Sequence, residues 1–353
     1  MTPKPMSPSN SSFYGVSFNT KDRTTRTFHP EEFVNELQDM DTFSWIDIEA
    51  TEIDALNQVL RQIDLDLVLV GNFHRPEVLP RLVTHPDCLA FYLYMVVDPE
   101  QHLDTSHELT KIDFARMILV LSKDYVITYH QRALYGVEDV KASSDENFRL
   151  AGKTPGFIAF LFLQQCLHDY AHLNLANDNY LDSLEAKAFS GGHDGIAERL
   201  SVAGSNILTL KKMIASMLII LMLLVTKRNR FISDESRTAF NQMLQNTLAI
   251  RSSIDSSRDV LGGVVESLQA NAANRTSKIA AVLTIVSAVF LPLGLVASIY
   301  GMNTEMPALK KSLALFLFAG IAAVLVMVIS LTLRRFRQAG KDVTNKAERV
   351  IVA

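Results

Sequence analysis

The sequence predicts an α+β membrane protein: an N-terminal α/β domain, then a region of long helices continuing into two C-terminal transmembrane helices. Three observations lead there. Short β-branched and aromatic runs are confined to the stretch before His130, only helical periodicity follows Pro155, and two stretches of 22 uncharged residues lie near the C-terminal end.

Taken in order, "MTPKPMSPSNSS" is rich in Pro and Ser and has no apolar h-region, which argues against a cleaved signal peptide and for a disordered lead-in over residues 1–12. Residues 13–150 form the α/β domain. "FSWIDI" (Phe43–Ile48), "LAFYLYMVV" (Leu89–Val97), "RMILVL" (Arg116–Leu121) and "YVITY" (Tyr125–Tyr129) are strand candidates between polar links. The segment from Thr51, "TEIDALNQVLRQIDL", opens on capping-type residues and has apolar side chains at helical spacing. Residues 151–276 read as long helices: Phe157–Phe189, a break at "SGGHDG" (Ser190–Gly195), Ile196–Met222 and Asp234–Ala273. No Gly/Pro cluster separates the last of these from the first membrane span, so one continuous helix is expected, with Gly262 and Gly263 as its weak point.

The first span covers 277–300, with its uncharged run from Ile279 to Tyr300; a link at 301–311 leads to the second span, 312–333, and a basic tail, 334–353. A spanning helix needs about 20 apolar residues. The link is too short to fold alone, so the spans form a hairpin. Arg275 and Lys278 precede it and Arg334, Arg335, Arg337 and Lys341 follow it, placing both ends in the cytoplasm against a smaller vote from Lys310 and Lys311. A third apolar run, "MIASMLIILMLLV" (Met213–Val225), has 13 residues and reads as a buried cytosolic helix; a third span there would reverse the topology.

Composition limits the function. The 353 residues are 48% hydrophobic and 20% charged, with a mean hydropathy of +0.14, as expected for a soluble part joined to a membrane part. A net charge of −4 gives no reason to expect nucleic acid as partner. Cys88 and Cys166 are too few and too far apart for a disulfide framework or a Cys-based zinc site, and they suit a reducing compartment.

The polar residues of the first span share a sector. At 100° per residue and with Thr284 as origin, Ser277 lies at about +20°, Ser287 at about −60° and Ser298 at about −40°, joined by Ala280, Leu291 and Gly294. Small and hydroxyl residues allow close packing of membrane helices. The same stripe, repeated around an axis, would line a watery path with Leu291 as an apolar constriction. One helix cannot enclose a pore, so this second reading demands an oligomer. Neither span contains an acidic residue, so an ion there would meet neutral oxygens.

The first span ends on Tyr300, Gly301, Met302 and Asn303. With Asn274, Thr276, Leu283, Thr284, Pro292 and Leu293 before it, Arg258-Asp259 further upstream, and "WIDI" at Trp45, "HRPEVLPR" at His74, "LVLSKDYVITYH" at Leu119 and "HDY" at His168, the chain resembles the CorA-type divalent cation transport family, whose signature is Tyr-Gly-Met-Asn. The resemblance implies a funnel-shaped homopentamer in the inner membrane. First spans would line its pore through Ser277, Ala280, Leu283, Thr284, Ser287, Leu291, Gly294 and Ser298, and Asn303 would form a ring at the outer mouth. It implies no cofactor beyond the transported ion, chiefly Mg²⁺, with Co²⁺, Ni²⁺ or Zn²⁺ as alternatives. Mg²⁺ sheds water reluctantly, so five amide oxygens would hold the hydrated ion through its waters. Gly301 would let the backbone leave the helix, and Met302 would brace that turn.

Some positions depart from the family pattern. Ser277 stands where magnesium-transporting relatives tend to have Asn, Ala280 and Leu291 stand where Met is usual, and Gln242 stands where a cytosolic acid helps bind regulatory Mg²⁺. The link "TEMPALKK" has Glu305 as its one acid and lacks the Gly-rich stretch of the related ZntB-type zinc transporters. A ZntB-like Zn²⁺ transporter and a non-conducting, membrane-anchored regulatory or scaffold protein therefore stand as alternatives.

Other constellations are weaker. "AGKT" (Ala151–Thr154) lacks the first Gly of a phosphate loop, Asn147 standing there, so no nucleotide is expected. Transport then runs down a gradient, and a divalent cation gains roughly 4.6 kcal/mol per 100 mV of inside-negative potential. His168 and His172, four apart on a helix, can meet one metal or simply share a helix face; no third ligand accompanies them. Asp178, Asp182 and Glu185 share a face that would attract cations or merely be solvated. No catalytic constellation is present, and no enzymatic activity is expected.

Overall fold

The computed structural model of the chain describes residues 11–37, 39, 41–65, 79–103, 109–150, 153–189, 195–227, 230–301, 320 and 330. The chain divides into two compact units, Met1–Val265 and Glu266–Ala353.

The first unit is built on a mixed sheet of seven strands: β1 (Ser11–Asn19), β2 (Thr24–Thr27), β3 (Thr42–Ala50), β4 (Arg81–Thr84), β5 (Leu89–Val96), β6 (Phe114–Leu121) and β7 (Tyr125–His130), in the order β2-β1-β3-β7-β6-β5-β4. The four expected strands are all there, β3, β5, β6 and β7. β3 and β7 pair in parallel at the centre, Ile46 opposite Ile127, and every other pairing is antiparallel. Both central strands are covered on both faces, which is why they read as unbroken apolar runs rather than alternating ones.

On one face, Ile46, Ile48, Ile127 and Tyr129 meet Phe33 of α1 (Phe33–Glu36) and Leu56 and Leu60 of α2 (Asp54–Gln62). The opposite face packs against α4 (Tyr135–Leu150) and α5 (Gly156–Phe189): Trp45 sets its ring edge-on to Phe162 at 5.5 Å, and Phe18 and Phe43 contact Phe148. Burying each such aromatic contributes about 1.5–3 kcal/mol.

Two local expectations are corrected. The lead-in ends earlier than residue 12, because β1 begins at Ser11, paired opposite Ala50. Thr51 does not cap α2, which starts at Asp54 with Ile53 at its N-cap and no side-chain bond there. Asp54 instead sits in the first turn, where its charge suits the positive end of the helix, and accepts from Asn57 at 3.3 Å.

Gly15 on β1 lies against the chain of Phe28. A methyl group there would stand 2.8 Å from both the Phe28 carbonyl oxygen and its Cε2. The oxygen is held, since Phe28 N–H donates to Gly15 O at 3.0 Å. Gly15→Ala is expected to destabilise the chain by about 1–3 kcal/mol, read as a lowered unfolding temperature.

Beyond the sheet lie α5, α6 (Ile196–Thr226) and α7 (Asp234–Gly301), with a short α3 (Pro99–Leu103) beside α5. Gly195 takes φ +72° just before α6, a left-handed conformation that glycine adopts without strain. α6 carries the third apolar run, and 56% of its most apolar window is buried within the protein. Ile214, Met217, Ile220, Leu221 and Leu224 are fully covered, as in a core helix. α7 is different: the apolar window within Ser236–Leu295 is 0% buried. The helix runs unbroken through Gly262 and Gly263 to Gly301.

Candidate functional site

The candidate pore residues lie on the C-terminal part of α7. Ser277, Ala280, Leu283, Thr284, Ser287, Leu291, Gly294 and Ser298 are all exposed, Leu291 at 73%. The residues on the helix's other faces, among them Val282, Phe290 and Leu293, are exposed too. Uncharged surface of this kind around a whole helix requires lipid or partner helices to cover it.

Thr284 donates its hydroxyl to the Ala280 carbonyl at 2.8 Å and Thr276 donates to Ala272 at 3.0 Å, so both hydroxyl hydrogens are satisfied within the helix while their oxygens still face outward. Pro292 has no N–H for the Ala288 carbonyl, an interruption that membrane helices tolerate. Gly294 opens a shallow groove with Ser287 and Leu291 as neighbours, and nothing stands within 4 Å of where its side chain would be. α7 is helical through Gly301, the last described residue of this stretch. Met302, Asn303, the link, the basic tail, the "HRPEV" part of the motif at His74 and the second span other than Gly320 and Ser330 lie outside the described residues.

In the first unit, Gln242 is exposed on α7 and donates to Asn246 at 3.4 Å; it contributes no charge where the resemblance implies an acid. Asp178 does not share a solvated face with Asp182. It is half-buried and accepts from Asn174, which also donates to Ser253 and Ser257 of α7 at 3.2 and 3.0 Å. His168 and His172 are both exposed on α5, with ring centres 4.2 Å apart. Among the described residues no group of three or more His, Cys, Asp or Glu is gathered closely enough to hold an ion. The two thiols are buried, and burial pushes Cys88 up to about 12, far from the thiolate that a metal would require.

One polar cluster was not singled out in the sequence. Asp47 of β3 is 1% exposed and accepts from Thr128 at 2.5 Å, His130 at 3.2 Å and Lys141 of α4 at 3.0 Å. His130 completes its ring with the Arg132 carbonyl at 2.7 Å, and Trp45 donates to Thr128 at 3.0 Å. The signal was available in "WIDI" and "YVITYH", an acid and a histidine inside strands otherwise apolar enough to be buried on both faces. Burial disfavours the charged forms of Asp47 and His130, but their mutual hydrogen bond and attraction outweigh it, leaving Asp47 lowered and His130 raised.

The model of the family described as "CorA-like Mg2+ transporter protein" matches residues 40–335, from the central sheet through the exposed helix and beyond. The chain belongs to that family. It is 24% identical over 292 residues to the cobalt/magnesium transport protein CorA of Thermotoga maritima, covering 79% of this chain and 78% of that one. Among solved structures, the CorA magnesium transporter of Methanocaldococcus jannaschii superposes with a TM-score of 0.72 at 17% identity, covering 94% of this chain and 98% of that one. The cytoplasmic domain of ZntB from Vibrio parahaemolyticus gives 0.52 at 12% identity over 74% of this chain and 99% of that one. The CorA-like fold thus accounts for both the strand-and-helix unit and the long exposed helix.

Proposed function

We propose that the chain forms a homopentameric passive channel for divalent cations in the cell's inner membrane, with both termini in the cytoplasm. The observation that carries this reading is the uncharged, exposed stripe on α7, from Ser277 to Ser298, leading to Tyr300, Gly301, Met302 and Asn303 in a chain of the CorA-like family. The stripe offers hydroxyl oxygens and no carboxylate, which lets a divalent cation pass without being trapped. Asn303, one per subunit, forms the outer ring and holds the ion through its hydration water. Leu291 narrows the path with an apolar collar.

Self-association also finds support in the first unit, where Leu208, Ile219 and Met222 form an exposed apolar face on α6. Residues 13–276 make up the cytosolic part, 277–300 and 312–333 the two spans. Mg²⁺ is the main cargo, with Co²⁺ and Ni²⁺ also carried.

Purified protein in liposomes loaded with a divalent-sensitive dye tests this reading, with Mg²⁺, Co²⁺, Ni²⁺ and Zn²⁺ supplied in turn, with and without a proton gradient. Entry of Mg²⁺, Co²⁺ and Ni²⁺ independent of the proton gradient is expected; a requirement for protons, or entry of Zn²⁺ alone, contradicts it. Because Gln242 offers no charge to a regulatory ion, millimolar Mg²⁺ on the cytosolic side is expected to leave the flux largely uninhibited, and strong inhibition would show that an acid elsewhere closes the pore.

A further inference from the structure

α5 presents His168 and His172 one turn apart on its exposed face, ring centres 4.2 Å apart and planes tilted by 53°. Among the described residues neither ring makes a hydrogen bond, and both side chains are exposed. Two imidazoles on one ion, each nitrogen about 2.0–2.1 Å from it, place their ring centres roughly 4.5–5.2 Å apart for angles between square and tetrahedral. The observed separation is slightly shorter than that, and exposed side chains reach the difference by a small χ1 rotation, which swings the ring centre.

The surroundings favour a cation. Asp139 of α4 lies within electrostatic range of His168, and Glu100 of α3 within that of Asp139. Asp169, next to His168 in the chain, is 3% exposed; its Oδ1 accepts from Gln165 at 3.0 Å, and its Oδ2 has no hydrogen-bond partner among the described residues.

We propose that His168 and His172 form a transition-metal site that chelates one borderline divalent cation, Ni²⁺, Co²⁺ or Zn²⁺, through one nitrogen of each ring, with water in the remaining positions. Asp139 lies outside the ligand shell and acts as counter-charge. Mg²⁺ is excluded by chemistry, since it prefers oxygen and keeps its waters, whereas imidazole suits the later metals. The site lies on the first unit, away from the pore stripe in sequence and distinct from it in ligand type. It therefore separates transition metals from Mg²⁺ whether or not the pore conducts either.

The test is calorimetric titration of NiCl₂ into the untagged full chain in detergent at pH 7.5, with and without 10 mM Mg²⁺, on the parent, His168→Ala and His172→Ala. Both positions are exposed on a helix, where alanine is well tolerated; an unchanged unfolding temperature confirms that each variant is folded. The expected result is a Ni²⁺ affinity at least tenfold weaker in each single variant and insensitive to Mg²⁺. Parent-like affinity in either variant, or displacement of Ni²⁺ by Mg²⁺, overturns the chelate.

Discussion

Asn303→Ala is expected to lower Mg²⁺ entry into proteoliposomes at least tenfold while leaving the unfolding temperature unchanged. The proposed ring contacts the hydrated ion through amide–water hydrogen bonds worth about 1 kcal/mol each. Losing even two of the five exceeds the 1.4 kcal/mol that corresponds to a factor of ten. Alanine has no polar group with which to replace them. Asn303→Gln keeps the amide but moves it outward by one methylene, so partial flux is expected there. A flux equal to the parent's in Asn303→Ala places ion capture elsewhere along α7.

Asp47→Ala is expected to lower the unfolding temperature of the full chain in detergent by roughly 10 °C. Asp47 is the buried carboxylate that faces both His130 and Lys141, at 3.2 and 3.0 Å, while Lys141 also pairs with the exposed Glu138 at 2.8 Å. Removing one partner of such a buried group costs about 3–5 kcal/mol, and each kcal/mol moves the midpoint by about 2–4 °C in a unit of this size.

The pair also fixes a pH dependence. The raised native pKa of His130 gives stability that is present below about 6.5, the unfolded value, and is lost as pH rises through the native one. The lowered pKa of Asp47 gives stability that is present above about 3.9 and is lost as the medium is acidified. The cluster therefore contributes most in mildly acidic solution and less toward alkaline pH. Unfolding temperatures between pH 5 and 9 are expected to fall more steeply in the parent than in Asp47→Asn; equal slopes would mean that His130 is neutral in the native state.

The sheet's central strands were legible because burial on both faces leaves an unmistakable apolar run. β2, "TTRT", was not, since an edge strand open to solvent has the composition of a loop. β4 has only four residues, too few to establish a period. Thr51 misled because its capping pattern sits three residues before the helix begins.

α6 shows the opposite problem: "MIASMLIILMLLV" has the hydropathy of a span, and only its length argued for the core helix that the packing reveals. The helix that carries Ser277, Thr284, Ser287 and Ser298 was legible, because its spacing is helical throughout; all faces of that segment are exposed, so the choice of the pore-lining face rests on the proposal above. For the Asp47 cluster the acid and the histidine stood out inside apolar strands, but their meeting with each other and with Lys141 of α4 was not legible, since it depends on the pairing of β3 with β7.

The central claim is that divalent cations cross by this chain down their own electrochemical gradient. It is tested most directly by following Mg²⁺ entry into liposomes containing only the purified protein, with a potassium diffusion potential, inside negative, switched on by valinomycin and no nucleotide present. Entry that begins with the potential and grows with its size is expected, since each 100 mV favours a divalent ion by about 4.6 kcal/mol. Entry no faster than in protein-free liposomes at every potential would contradict it.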